Sequence, residues 1–103
     1  MWLPLKYTYH RNTTSHKIRT GALDNLRVAA GDSQTVSEGR GGVQFPWRHV
    51  AEAESSGALA DFSATCLYFG EALTELLGDG VVPIGLVATA IGGSMIEEWV
   101  TQV

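Results

Sequence analysis

The stretch that decides the fold is DFSATCLYFGEALTELLGDGVVPIGLVATA, residues 61–90. Phe62, Cys66, Phe69, Leu73 and Leu76/Leu77 recur at steps of three or four, which places them on one face of a helix. Asp61 or Ser63 can cap its start, and Gly78 supplies the left-handed residue that ends it. The apolar run Pro83 to Ala90 follows, bounded by glycines, and reads as a strand buried on both faces. Gly92-Gly93 then turns the chain into a second helix. There Ser94 and Glu97 form a capping box, in which the hydroxyl takes an orphan backbone N–H and the carboxylate reaches back to the serine N–H.

Working outward toward the N-terminus, Leu26-Arg27-Val28-Ala29-Ala30 reads as a short strand closed by Gly31-Asp32. Residues 1–60 are otherwise irregular in pattern, and Gly31 to Gly57 reads mostly as loop, with Phe45-Pro46-Trp47 as its apolar anchor. Strand, helix, buried strand, glycine turn and helix is the grammar of an α/β fold. It predicts that Leu26–Ala30 and Ile84–Ala90 lie side by side in a parallel sheet, with the Phe62–Leu77 helix crossing one face. Two strands do not complete such a sheet, so the pattern reads as part of a larger domain.

The bulk properties narrow the partners. The chain has 103 residues, of which 45% are hydrophobic and 17% charged, enough for one core and too apolar for disorder. The net charge is −4 and the seven basic residues are scattered, which argues against nucleic acid as a partner. No apolar span reaches the ~20 residues a membrane helix needs: the longest uncharged stretch, Gly80 to Ile96, carries four glycines and a proline. Lys6 interrupts the opening Met1-Trp2-Leu3-Pro4-Leu5, so a signal peptide is not expected there. The lone Cys66 has no internal disulfide partner, and Asn12-Thr13-Thr14 is a glycosylation sequon, of consequence only in the secretory pathway.

Chemistry concentrates at two glycine-bounded turns. Gly92 and Gly93 sit where a strand's carboxyl end meets a helix N-terminus, the place where open α/β sheets bind ligands. Their backbone N–H groups can be aimed at a developing oxyanion, although an ordinary strand-to-helix turn has the same composition. Gly31-Asp32-Ser33 resembles the nucleophile turn of SGNH-superfamily esterases. The segment after Ser33, however, lacks the apolar periodicity of the helix that should follow, so Ser33 reads as a nucleophile or as a turn serine. His10, His16 and His49 are the candidate general bases, none at a spacing that pairs it with a carboxylate, and they read as surface or loop residues. No metal-ligand spacing is present, no cofactor is called for, and Cys66 reads as a small buried thiol.

Three ordered motifs carry a resemblance. Asp61-Phe62-Ser63-Ala64-Thr65-Cys66-Leu67-Tyr68-Phe69-Gly70, then Val82-Pro83-Ile84-Gly85-Leu86-Val87, then Gly92-Gly93-Ser94-Met95-Ile96-Glu97-Glu98-Trp99, resemble the sialate O-acetylesterase family. That family shows Phe-Ser-Ala-Val-Cys-Trp-Tyr-Phe-Gly, Val-Pro-Ile-Gly-Leu-Ile and Gly-Gly-Thr-Pro-Ile-Glu-Ala-Trp in the same order. Asn25, Arg27 and Trp47 fit it more loosely. The resemblance implies a partial domain over residues 1–103, variable over 1–60 and best matched over 61–100. Its fold would be a three-layer α/β/α SGNH-hydrolase domain, flavodoxin-like, with a parallel sheet.

The activity implied is hydrolysis of acetyl esters on sialic acid or another sugar through a serine acyl-enzyme, without a cofactor and in a secreted or lysosomal setting. Gly92 and Gly93 would stand on the oxyanion side, and Ser94, in place of the family's threonine, with Glu97 on the substrate side. Ile91 occupies a position where the family often has tryptophan. Met1 matches the methionine of the family's Gly-Gln-Ser-Asn-Met nucleophile turn, and the family's aspartate and histidine lie far C-terminal to Val103. The resemblance therefore implies a fragment that begins after the nucleophile, with an O-acetylated glycan or small molecule as substrate and no activity alone. The alternatives are a non-catalytic carbohydrate-binding or interaction fragment, and a small esterase using Ser33.

Overall fold

The computed structural model describes residues 3–31, 43–78, 80–89 and 95. Its elements are α1 (Arg11–Arg19), β1 (Leu26–Gly31), β2 (Val43–His49), α2 (Val50–Ser55), α3 (Ala64–Leu76) and β3 (Ile84–Ala88), with 3-10 turns at Leu5–Tyr7 and Ala58–Asp61.

The strands form one mixed sheet in the order β2-β1-β3. β1 and β3 run parallel, with Leu26 opposite Ile84, Val28 opposite Leu86 and Ala30 opposite Ala88. α3 lies on the crossover between them and packs against β3, as the right-handed crossover rule requires of two apolar runs flanking a helix. The sheet is not parallel throughout: β2 pairs with β1 antiparallel, Arg27 opposite His49 and Gly31 opposite Val43. The connection from β1 to β3 carries α2 and α3, the kind of crossover a parallel partner needs.

β2 and α2 occupy much of the stretch that reads as loop. The sequence signal is weak because Pro46 sits mid-strand, and Pro cannot donate to a ladder. The sheet order resolves this, since among the described residues β2 is an edge strand. α1 also replaces an expected irregular segment. Ile18 is its one strongly apolar residue, and the helix is held from outside: Thr14 Oγ1 donates to Glu71 Oε2 at 2.9 Å, and Lys17 Nζ contacts Glu71 and Glu75 at 2.6 Å. These bonds hold the Lys17 ammonium above its ordinary range.

α3 begins where expected. Ser63 is its N-cap, accepting from Cys66 N–H at 3.3 Å, while Asp61 pairs with Lys6 at 2.7 Å. The N-terminal segment laces onto this start, with Ala64 N–H donating to Leu3 C=O and Leu5 N–H to Phe62 C=O. Ser63→Ala should cost about 0.5–2 kcal/mol, read as a lower denaturant midpoint with an unchanged slope.

The buried face of α3 is not the one the large side chains suggest. Ala64, Leu67, Gly70 and Thr74 face the core, whereas Phe69 is 62% exposed and Leu76 81%. The observed stripe is displaced from the expected one by one residue, or ~100° around the helix. Packing explains it: a Cβ built on Gly70 would lie 2.5 Å from Leu86 Cδ1, so the helix approaches β3 through its glycine.

The core gathers Leu26, Val28, Ala30 and Leu86 from one sheet face with Ile18, Leu23, Val50, Leu59, Phe62 and Leu67. On the opposite face Gly85 and Val87 are exposed, so β3 is half-buried rather than covered on both sides. Among the described residues the helices therefore form one layer on the sheet. The helix expected after Gly92-Gly93 lies outside the described residues.

Candidate functional site

The carboxyl ends of β1 and β3 reach the same edge of the sheet, with Ala30 opposite Ala88. Chain connectivity leads from these two ends toward Ser33 and toward Gly92, Gly93, Ser94 and Glu97. All five of those candidate residues lie outside the described residues, as does Asp32.

The histidines separate into two kinds. His10 and His16 are exposed, and the His10 ring meets Tyr9 edge-on. His49, in contrast, is brought to Asp24, a partner 25 residues away that local spacing does not suggest. Its Nδ1 accepts from Ala51 N–H at 3.1 Å and its Nε2 lies 3.0 Å from the Asp24 carbonyl oxygen, with Asp24 Oδ1 at 3.8 Å. A carbonyl only accepts, so Nε2 carries the ring proton and donates. The sole lone pair is then spent capping α2, which leaves none to take a proton from a nucleophile. The arrangement has the look of a carboxylate–histidine couple and works as a joint between β2, α2 and the start of β1.

Around this joint lies an open surface. Trp47 is two residues before His49 and so points to the same side of β2. The edge of its indole meets Gly85 of β3: a Cβ there would be 2.9 Å from Cη2 and 3.1 Å from Cζ3, so glycine is what lets the ring approach. Arg27 sits beside it, its guanidinium turned back to donate to the Asp24 and Leu26 carbonyls at 3.0 and 3.2 Å. Trp47 and Arg27 stand between two shallow clefts of about 530 Å³ each, one reaching Asp24, Gly80 and Pro83, the other Arg48 and Glu52. Sequence reasoning missed this grouping because it depends on recognising β2, after which the alternation of Trp47 and His49 places both on one side.

A third cleft, of about 320 Å³, lies between α1 and α3, and its charges are already joined in the Lys17–Glu71–Glu75 network. Partial burial pushes the Cys66 thiol above its ordinary pKa, which keeps it protonated and weakly nucleophilic. Among the described residues no group of His, Cys, Asp and Glu is placed to hold a metal ion, and no helix is long and apolar enough to cross a membrane.

What the described residues define is a small α/β domain with three α-helices and a three-stranded mixed sheet. Compared with models of protein families, with curated proteins and with solved structures, the chain matches none.

Proposed function

We propose that this chain is part of a carbohydrate O-acetylesterase related to the sialate O-acetylesterases, within an SGNH-type α/β/α domain. The observation that carries the reading is spatial. Residues of separate resemblance motifs meet where a glycine leaves room for its neighbour: Gly70 of the first motif receives Leu86 of the second, and Gly85 of the second receives the loop Trp47. Ser63 of the first motif caps the helix that carries Gly70. The first two of the three strings thus meet across the interface of helix and strand, and the third lies, Met95 apart, outside the described residues.

On this reading a serine outside these residues attacks the acetyl carbonyl carbon. A histidine takes the serine proton and passes it to the departing sugar oxygen, and water then releases acetate from the acyl-enzyme. Gly92 and Gly93 donate N–H groups to the oxyanion, while Ser94 and Glu97 face the substrate.

The test compares three proteins on one acetylated sugar: the chain as given, its Ser33→Ala variant, and the chain extended to carry a Gly-Gln-Ser-Asn block upstream and an Asp-x-x-His block downstream. The first two should be inert and the third active, with Gly92→Ala or Gly93→Ala in the third lowering kcat by about 10² or more. Turnover by the chain as given that disappears with Ser33→Ala would overturn this reading and make Ser33 the nucleophile.

A further inference from the structure

We propose that His49 is an acid-sensitive joint, whose neutral ring caps α2 and whose protonated ring releases that cap while staying tied to Asp24. β2 passes into α2 with no loop between them, since His49 is both the last residue of the strand and the N-cap of the helix. One side chain therefore governs how the edge strand enters the helix layer. His49 takes no part in the proposed ester chemistry, so the joint stands without the hydrolase assignment.

Three observations carry it. First, both ring nitrogens are engaged, and only one of the two contacts survives protonation. Nδ1 accepts from Ala51 N–H at 3.1 Å, whereas Nε2 donates to the Asp24 carbonyl at 3.0 Å. The engagement that withholds the lone pair from a nucleophile makes the cap sensitive to acid. A proton taken from solvent at Nδ1 turns that acceptor into a donor, which then faces Ala51 N–H donor against donor, and the cap is lost. Second, the Asp24 side keeps its hold on the charged ring. The same carbonyl also accepts from Arg27, the residue opposite His49 in the β1–β2 register, and Asp24 Oδ1 stands 3.8 Å from Nε2, where it attracts an imidazolium. Charges of both signs border the ring: Asp24 from the turn before β1, Arg27 from β1, Arg48 from β2 and Glu52 from α2. Further ions of the helix layer are joined to each other, Arg19 to Glu54 and Lys6 to Asp61. Third, α2 is six residues long, so one cap is a large share of what holds its first turn, while the fully buried Val50 and Ala53 anchor the helix to the core. Acid should thus open the first turn without releasing the helix.

The experiment is an NMR titration of the full 103-residue chain, 15N-labelled, from about pH 8 to about pH 5, the range in which imidazole ordinarily changes charge. It follows the His49 ring nitrogens and the Ala51 amide, with hydrogen exchange measured at both ends. At the alkaline end the ring should be the Nε2–H tautomer. As the ring gains its second proton, the Ala51 amide signal should move with the same midpoint. Its protection factor, which divides out the intrinsic pH dependence of exchange, should fall by about threefold or more. The Nε2–H signal should persist, because Asp24 still accepts it, and the Cys66 amide, capped by the Ser63 hydroxyl, should keep its protection. His49→Asn retains a capping side chain with no charge to gain, so Ala51 should stay protected throughout; His49→Ala should leave it weakly protected throughout. An Ala51 amide that ignores the titration of the ring, a ring that stays neutral down to about pH 5, an Nε2–H signal that vanishes with the cap, or a folded His49→Asn chain with the same pH response would overturn the proposal. The first three results need no variant, so they decide even where a substitution disturbs folding. None of them depends on ester hydrolysis, so the joint and the esterase reading fail separately.

Discussion

Gly70→Val should leave too little folded protein to measure a cooperative transition, and Gly70→Ala should destabilise by about 1–3 kcal/mol. Helix propensity alone argues the reverse, since alanine in a helix interior gains about 0.5–1 kcal/mol over glycine. The sign is set by Leu86, whose Cδ1, Cδ2 and Cγ would lie 2.5, 3.1 and 3.2 Å from the new methyl carbon, and which is 5% exposed with no room to swing away. Valine adds two more carbons to the same contact, and a domain of this size holds only about 5–15 kcal/mol in total. Denaturant unfolding of Gly70→Ala, Leu86→Ala and the double variant separates the two effects. In the Leu86→Ala background the Gly70→Ala change should become neutral or stabilising, a non-additivity of more than about 1 kcal/mol. Additive losses would mean that Gly70 is not what sets the distance between α3 and β3.

What the sequence makes legible and what it hides follow from where the stabilising contacts come from. The ends of α3 are local chemistry: a serine oxygen three residues from the N–H it caps, and a glycine at φ 97° just past the last turn. The parallel pairing of β1 with β3 follows from two apolar runs and the helix between them. α1 has no such local signature. Its Thr14 and Lys17 are fixed by Glu71 and Glu75, more than 50 residues away, and no window over Arg11–Arg19 contains that information. β2 is hidden by Pro46, tolerable only because the strand is at an edge, a property of the finished sheet. The Trp47–His49–Asp24 grouping inherits that blindness. Candidates drawn from the strand ends, Ser33 and Gly92 to Ser94, are legible as composition, since glycine-bounded turns after strands are where α/β sheets work. Their chemical roles rest on the resemblance.

One consequence joins the fold to the proposed function. The sheet is covered by helices on one side, and Val87 and Trp47 are half-exposed on the other. Among the described residues β3 presents an unpaired edge, and Phe69 and Leu76 of α3 and Leu77 just after it are open as well. On the proposed reading, further strands and helices of a layered α/β/α domain would cover these surfaces. Their exposure also predicts that the chain alone is prone to associate through its open edge and apolar faces.

The two faces of α3 should therefore respond to substitution in opposite ways. Leu67 is fully buried in the core cluster that also holds Phe62 and Leu86, and Leu67→Ala should cost about 2–5 kcal/mol through lost burial and the cavity left behind. Phe69→Ser and Leu76→Ser remove larger or equal apolar groups two and nine residues further along the same helix, yet each should change unfolding free energy by no more than about 0.5–1 kcal/mol, because those side chains are already in water. The serine pair should also raise the soluble yield, since it removes apolar surface from the exposed face. A face chosen by side-chain size gives the opposite ranking: with Phe62, Cys66, Phe69 and Leu73 turned inward, Phe69→Ser would be ruinous and Leu67→Ala mild. Urea melts of the three variants decide between them. The outcome also tests Gly70, because a helix rotated by one residue would turn the glycine out of contact with Leu86 and leave no physical reason for its close approach to β3.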